Sequence, residues 1–146
     1  MRASETRLQH VANFFTIGTG VAYVWTKYFF HSSDPYSNAG SPWEPLSHNS
    51  HVVVVPLLVF ACGVIWRSHI LPKWQSVRNS THVIRKTASG LGLLFVLVPM
   101  VLTGYLIQVS VDETWRKAWV VVHLVTSAVW TISYVAHLPW RKSHEA

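Results

Sequence analysis

Four apolar stretches, each about as long as a membrane span, alternate with segments where polar and charged residues collect. They cover residues 8–30, 46–67, 87–111 and 118–139. The first is interrupted only by Lys27, which lies beside Tyr23, Trp25, Tyr28, Phe29 and Phe30. That grouping predicts an interfacial aromatic belt with a snorkelling lysine. The second contains Pro56, an expected kink, and the third carries Gly90, Gly92, Pro99 and Gly104. Between the spans, residues 31–49 (HSSDPYSNAGSPWEPLSHN) read as a loop by their Ser, Pro, Asn and Gly content. Residues 67–86 read as a basic connector, and 112–117 as a tight connection. The expected architecture is all-α: a transmembrane four-helix bundle forming a single membrane domain over residues 1–146.

Composition agrees with the pattern. Hydrophobic residues make up 50% of the chain and charged ones only 12%, half the roughly 25% of a soluble domain. The net charge of +6 comes from Lys and Arg at span ends, with no basic patch interleaved with exposed aromatics, so nucleic acid is not an expected partner. Nine basic residues fall on the side of the two termini (Arg2, Arg7, Arg67, Lys73, Arg78, Arg85, Lys86, Arg141, Lys142) and three on the other (Lys27, Arg116, Lys117). The positive-inside rule then puts both termini in the cytoplasm and turns 31–49 and 112–117 outward. The first apolar run lacks a small-residue cleavage site and is expected to stay as a span. The single cysteine, Cys62, rules out a disulfide within the chain, and no CxxCH is present for covalent haem attachment.

The candidate chemistry lies in the histidines. His123 and His137 stand near the two ends of the uncharged fourth run. Fourteen residues are just under four helical turns, so the two rings point to nearly the same side about 21 Å apart. Imidazoles inside a span are costly unless satisfied. Two readings are open: axial ligands to two non-covalent, b-type haems, one near each membrane surface, or interface histidines bonded to neighbouring helices. Depth, counted inward from the nearest charge, separates further candidates. His137 lies four residues before Arg141 and His10 three after Arg7, whereas His123 lies six after Lys117 and His51 seven after Glu44. The matched pairs are His10 with His137 and His51 with His123. His69 competes with His10, because it follows His51 by eighteen residues and would share its helix face, but it lies beyond Arg67. A place near a haem propionate or a quinone is its alternative role. His31, His48, His82 and His144 are expected to be solvated or interfacial. Gly20 and Gly104 sit where a haem or another helix would come close. The six acidic residues lie in loops and tails, and no Ser-His-Asp or Cys-His set is evident.

The segment RLQHVANFFTIGTG, with Arg7, His10 and the Thr19-Gly20 pair, resembles the opening of the first span in the membrane cytochrome b subunits of formate dehydrogenases and nickel–iron hydrogenases. That family carries one haem-ligand histidine at the start of each of the first two spans and two on the fourth, fourteen apart. His10, His51, His123 and His137 occupy that pattern. SGLGLLFVLVPMVLTGY on the third span, with Ser89-Gly90 and Thr103-Gly104, is similar to the family too. The resemblance covers the spans, about two-thirds of the chain, and implies the same ligand pairs that depth matching selects.

The resemblance implies a di-haem electron-transfer subunit of a bacterial inner-membrane oxidoreductase, not itself catalytic. Two haem b groups would carry electrons between an outer iron–sulfur or multihaem cytochrome subunit and the quinone pool. In the resembling family quinone binds near the cytoplasmic-side haem, where Asn13, His69, Arg85, Lys86 and Ser89 are the candidates here. This chain is shorter, has an unusual outer loop, and carries His69 as an extra histidine. Small stand-alone four-helix b-type cytochromes that oxidise superoxide share a similar ligand layout. That leaves two rival expectations: a stand-alone quinone oxidoreductase with a small donor, and a haem-free anchor or assembly subunit.

Overall fold

The computed structural model describes residues 2–30, 41–78 and 85–138, and the side chains of all of these except 76–78 and 85–91. Every regular element among them is helical: α1 (Ala3–Tyr28), α2 (Glu44–Val64), a π-helical turn (Trp66–Ile70), α3 (Leu71–Arg78), α4 (Arg85–Val109) and α5 (Glu113–His137). The chain divides into two compact units, Met1–Pro72 and Lys73–Ala146. In the first, α1 packs against α2, and in the second, α4 packs against α5.

Three helices, Glu44–Val64, Gly92–Val109 and Glu113–His137, are long and apolar enough to cross a membrane. Their apolar side chains mostly face outward. Val53, Phe95 and Ile132 are at least 65% exposed, and Phe60, Leu102, Val125 and Val135 are exposed as well. Water would not tolerate apolar faces of this extent, but lipid would. α1 is not among the three. Gln9, His10, Asn13, Thr16 and Thr19 dilute its apolar run, and Glu5, Arg7 and Lys27 lie near its ends. Its polarity is partly internal, because Gln9, Asn13 and Thr16 are buried.

The first unit is an antiparallel hairpin with legible register. Rising along α1, the contacts fall along the other strand of the hairpin: Glu5 to Ser68, Gln9 to Cys62, Thr19 to His51, Tyr23 to His48, Thr26 to Ser47 and Lys27 to Glu44. Ala12 and Ala61 are fully buried, so the helices approach closely where they carry least bulk. Lys27 does more than reach for the surface. Its ammonium donates to the Tyr23 hydroxyl at 3.0 Å and pairs with Glu44 at 3.4 Å, pinning the start of α2 to the end of α1. At the other end, one Glu5 carboxylate oxygen accepts from the Arg2 backbone N–H (2.8 Å) and from the Ser68 hydroxyl (3.0 Å).

Three boundaries differ from the sequence expectation. Residues 44–49 are helix, not loop. Pro45 falls in the first turn of α2, where a missing N–H costs nothing, and Glu44 complements the helix dipole. The basic connector 67–86 is helical through Arg78, by way of the π-helical turn. The connection 112–117 is shorter than expected. Asp112 caps α5 by accepting from the Trp115 N–H at 3.0 Å, and Glu113–Lys117 form the first turn, with Glu113 paired to Arg116 and Lys117. α2 runs through Pro56 as a continuous helix.

Candidate functional site

Each unit seats one of the expected ligand histidines against a Thr-Gly pair on the facing helix. On α1, Thr19 and Gly20 are consecutive, so the hydroxyl and the bare Cα present adjacent points of one turn. His51, in the second turn of α2, comes down on both. Its Nδ1 is 3.1 Å from Thr19 Oγ1. A Cβ on Gly20 would stand 3.0 Å from its Cε1, tight enough that the ring would have to give way. In the second unit, Thr103 and Gly104 on α4 receive His123 of α5. The His123 Nδ1–H donates to the Met100 carbonyl at 2.9 Å, Thr103 Oγ1 lies 3.4 Å from the same nitrogen, and a Cβ on Gly104 would be 3.3 Å from Cε1. Both glycines are where the ring needs space. Both histidines are half-buried.

A carbonyl oxygen can only accept, so the proton of the neutral His123 imidazole is on Nδ1 and the lone pair on Nε2. That is the state in which a histidine binds iron, with its other nitrogen oriented by a neighbour. The chemistry of the donor therefore fits a haem iron at His123. No group of three or more His, Cys, Asp or Glu able to hold a bare metal ion occurs among the described residues. A haem needs only axial ligands from the protein.

α5 is one unbroken helix from Glu113 to His137, so His123 and His137 share it at the expected separation of about 21 Å. His137 is half-buried in its last turn. His10 is exposed on α1, ten residues before Gly20. In each expected pair one histidine belongs to each unit. His69 lies in the π-helical turn and is half-buried. The wider π winding between it and His51 interrupts the uniform α-helical phase on which their expected shared face rests. His48, expected to be solvated or interfacial, is half-buried with its ring edge-on to Tyr23 at 5.0 Å. His31, His82 and His144 lie outside the described residues, as does Tyr36 of the outer loop.

Among the quinone candidates, Asn13 is fully buried and its side-chain amide donates to the Gln9 carbonyl at 2.8 Å. Arg85, Lys86 and Ser89 are in the first two turns of α4, with side chains outside the described ones. The sequence reading overlooked the neighbours of Asn13. Gln9 donates to Cys62 Sγ at 3.5 Å, and Gln9 Oε1 and Thr16 Oγ1 are buried with no hydrogen-bond partner among the described residues. Spacing gave a signal, since residues 9, 13 and 16 follow one helix face.

No protein-family model, no curated protein and no solved structure matches this chain.

Proposed function

We propose that the chain is a four-helix membrane cytochrome b, with both termini in the cytoplasm, that moves electrons between an outer-side redox partner and membrane quinone. His51 and His123 would be the axial ligands of an outer haem b, and His10 and His137 those of an inner one. The single observation that carries this reading is the common setting of His51 and His123, each held at Nδ1 against a Thr-Gly pair. The apolar, outward-facing surfaces of α2, α4 and α5 support the membrane part of it.

In this reading bound haem supplies a one-electron carrier, and bis-histidine ligation leaves it no open position for oxygen chemistry. The protein's own work is orientation and spacing. His123 and His137 hold their sites about 21 Å apart on one helix, most of the ~30 Å hydrocarbon layer. Gly20 and Gly104 admit bulk beside the ligands. Asn13, between the buried Gln9 and Thr16, lies on the half of α1 that carries His10, and belongs to the proposed quinone end together with His69, Arg85, Lys86 and Ser89. An iron–sulfur or multihaem cytochrome subunit would dock on the outer side, where Trp43 is exposed. The membrane would be a bacterial inner membrane.

One observation favours a second reading, a haem-free anchor. Nδ1 satisfied within a hairpin is also what a purely structural histidine achieves. A reduced-minus-oxidised spectrum of the purified chain, with a haem count, separates the two. Two low-spin b-type haems per chain are expected, and none would leave the anchor.

A further inference from the structure

Thr19 and Thr103 each have one hydroxyl proton, and each gives it to its own helix. Thr19 Oγ1 donates to the Phe15 carbonyl at 2.7 Å, with the Thr16 carbonyl at 3.3 Å. Thr103 Oγ1 donates to the Pro99 carbonyl at 2.7 Å, with the Met100 carbonyl at 3.2 Å. Such back-bonding is common for threonine in a helix, and Thr126 and Thr131 do the same. The histidine contact gives it a further consequence. With the proton spent on a carbonyl, the face of Oγ1 turned to the ring can only accept. His51 Nδ1, 3.1 Å from Thr19 Oγ1, must then be the donor, as His123 Nδ1 is toward Met100. Both rings carry the same tautomer, Nδ1–H with the lone pair on Nε2.

The two seats correspond in detail, though the chain has no sequence repeat. In each, a Thr-Gly pair faces the ring, the hydroxyl meets Nδ1, and the glycine meets Cε1. At His123 the Met100 carbonyl is a further acceptor on the same nitrogen.

From this geometry we infer that Thr19, and Thr103 as the lesser partner beside the Met100 carbonyl, are positioning residues that hold the Nδ1–H of His51 and His123, so that each presents a basic Nε2 to the iron. The role rests on the haem reading above, but the tautomer does not. An acceptor on Nδ1–H makes the imidazole a stronger donor to iron and favours the ferric state. Removing the acceptor weakens haem binding and raises the potential.

The test uses the full chain and four variants, Thr19→Val, Thr19→Ser, Thr103→Val and Thr103→Ser. Valine keeps the shape and loses the hydroxyl, and serine restores the hydroxyl; circular dichroism checks that each variant is folded. In the haem-free chain, labelled with nitrogen-15 histidine, the side-chain shifts of His51 and His123 should report Nδ1–H. Thr19→Val should give His51 a mixture of tautomers, while Thr103→Val should leave His123 unchanged, because Met100 still accepts. In the haem-loaded chain, Thr19→Val should lose about ten- to a hundredfold in affinity at the His51 haem and raise its potential. Thr19→Ser should restore both, and Thr103→Val should shift them less. Nε2–H on either ring of the unsubstituted chain, or a Thr19→Val chain with unchanged tautomer and potential, overturns the inference while the haem reading stands. A chain that takes up no haem overturns the haem reading and the positioning role with it, and its spectrum shows this before any variant is made.

Discussion

The His123 Nδ1–H donates to the Met100 carbonyl at 2.9 Å, across the α4–α5 hairpin. A histidine so held keeps its lone pair on Nε2, the nitrogen that would bind iron in the proposed arrangement. His123→Ala removes that proposed ligand together with the cross-helix bond. In the proposed arrangement the outer haem should be lost and most of the inner one spared, since only the outer pair uses His123. Haem stoichiometry and the reduced spectrum measure this, and full occupancy of both haems would show that α5 does not supply the outer ligand.

His10→Ala and His69→Ala address the proposed inner haem. His10→Ala should abolish one low-spin signal and His69→Ala should keep both. The reverse result would make the π-helical turn the ligand-bearing element and refute the depth matching.

Glycines two residues apart on α1 should respond oppositely. A Cβ at Gly20 would press on His51 Cε1, whereas one at Gly18 meets nothing within 4 Å. Gly18→Ala should stabilise by about 0.5–1 kcal/mol, the usual gain of alanine over glycine within a helix. Gly20→Ala should lose that gain to displacement of His51, and Gly20→Leu should lose the outer haem. Gly104→Leu should act on the same haem, because a Cβ there already stands 3.3 Å from His123 Cε1. Thermal unfolding and haem content give the comparison, and normal values for Gly20→Leu and Gly104→Leu would remove the close-approach argument.

Glu5 ties the first turn of α1 to Ser68. The Arg2 backbone N–H, and then the Ser68 hydroxyl, hold its carboxyl below the usual glutamate range. A depressed carboxyl stabilises the fold above its unfolded pKa, about 4.3, and that contribution is lost as pH falls through the lower folded value. Amide protection in the first turn of α1, corrected for the intrinsic exchange rate, should therefore fall in acid. In Glu5→Gln that protection should be low already at neutral pH and nearly insensitive to acid. Equal acid sensitivity in the variant would assign the effect elsewhere.

The loop that the proposed topology turns outward offers Trp43, 59% exposed, just before α2. Together with Tyr36 it is a candidate anchor for the outer partner, since exposed aromatics dominate such contacts. Replacing both by Ser should release the partner on purification while both haems stay bound. A complex that survives unchanged would make these residues membrane anchors instead.

The sequence by itself determined where the long helices are and which histidines deserved attention. Span length and apolar run are local properties, so α2, α4 and α5 were legible to within a few residues, and so was the fourteen-residue spacing of His123 and His137 along α5. Glycines 20 and 104 were also identified from their place in the spans. Only the tertiary structure decided what each of these touches. Nothing local to His123 names Met100 as its acceptor, and nothing local to Thr19 names His51, because those contacts depend on the register between two helices. The π-helical turn at Trp66–Ile70, which interrupts the uniform winding between His51 and His69, is likewise invisible to a count that assumes uniform winding. The same holds for the polar face of α1. Gln9, Asn13 and Thr16 interrupt its apolar run, yet all three are buried, because a helix pair can hide polar groups between its members.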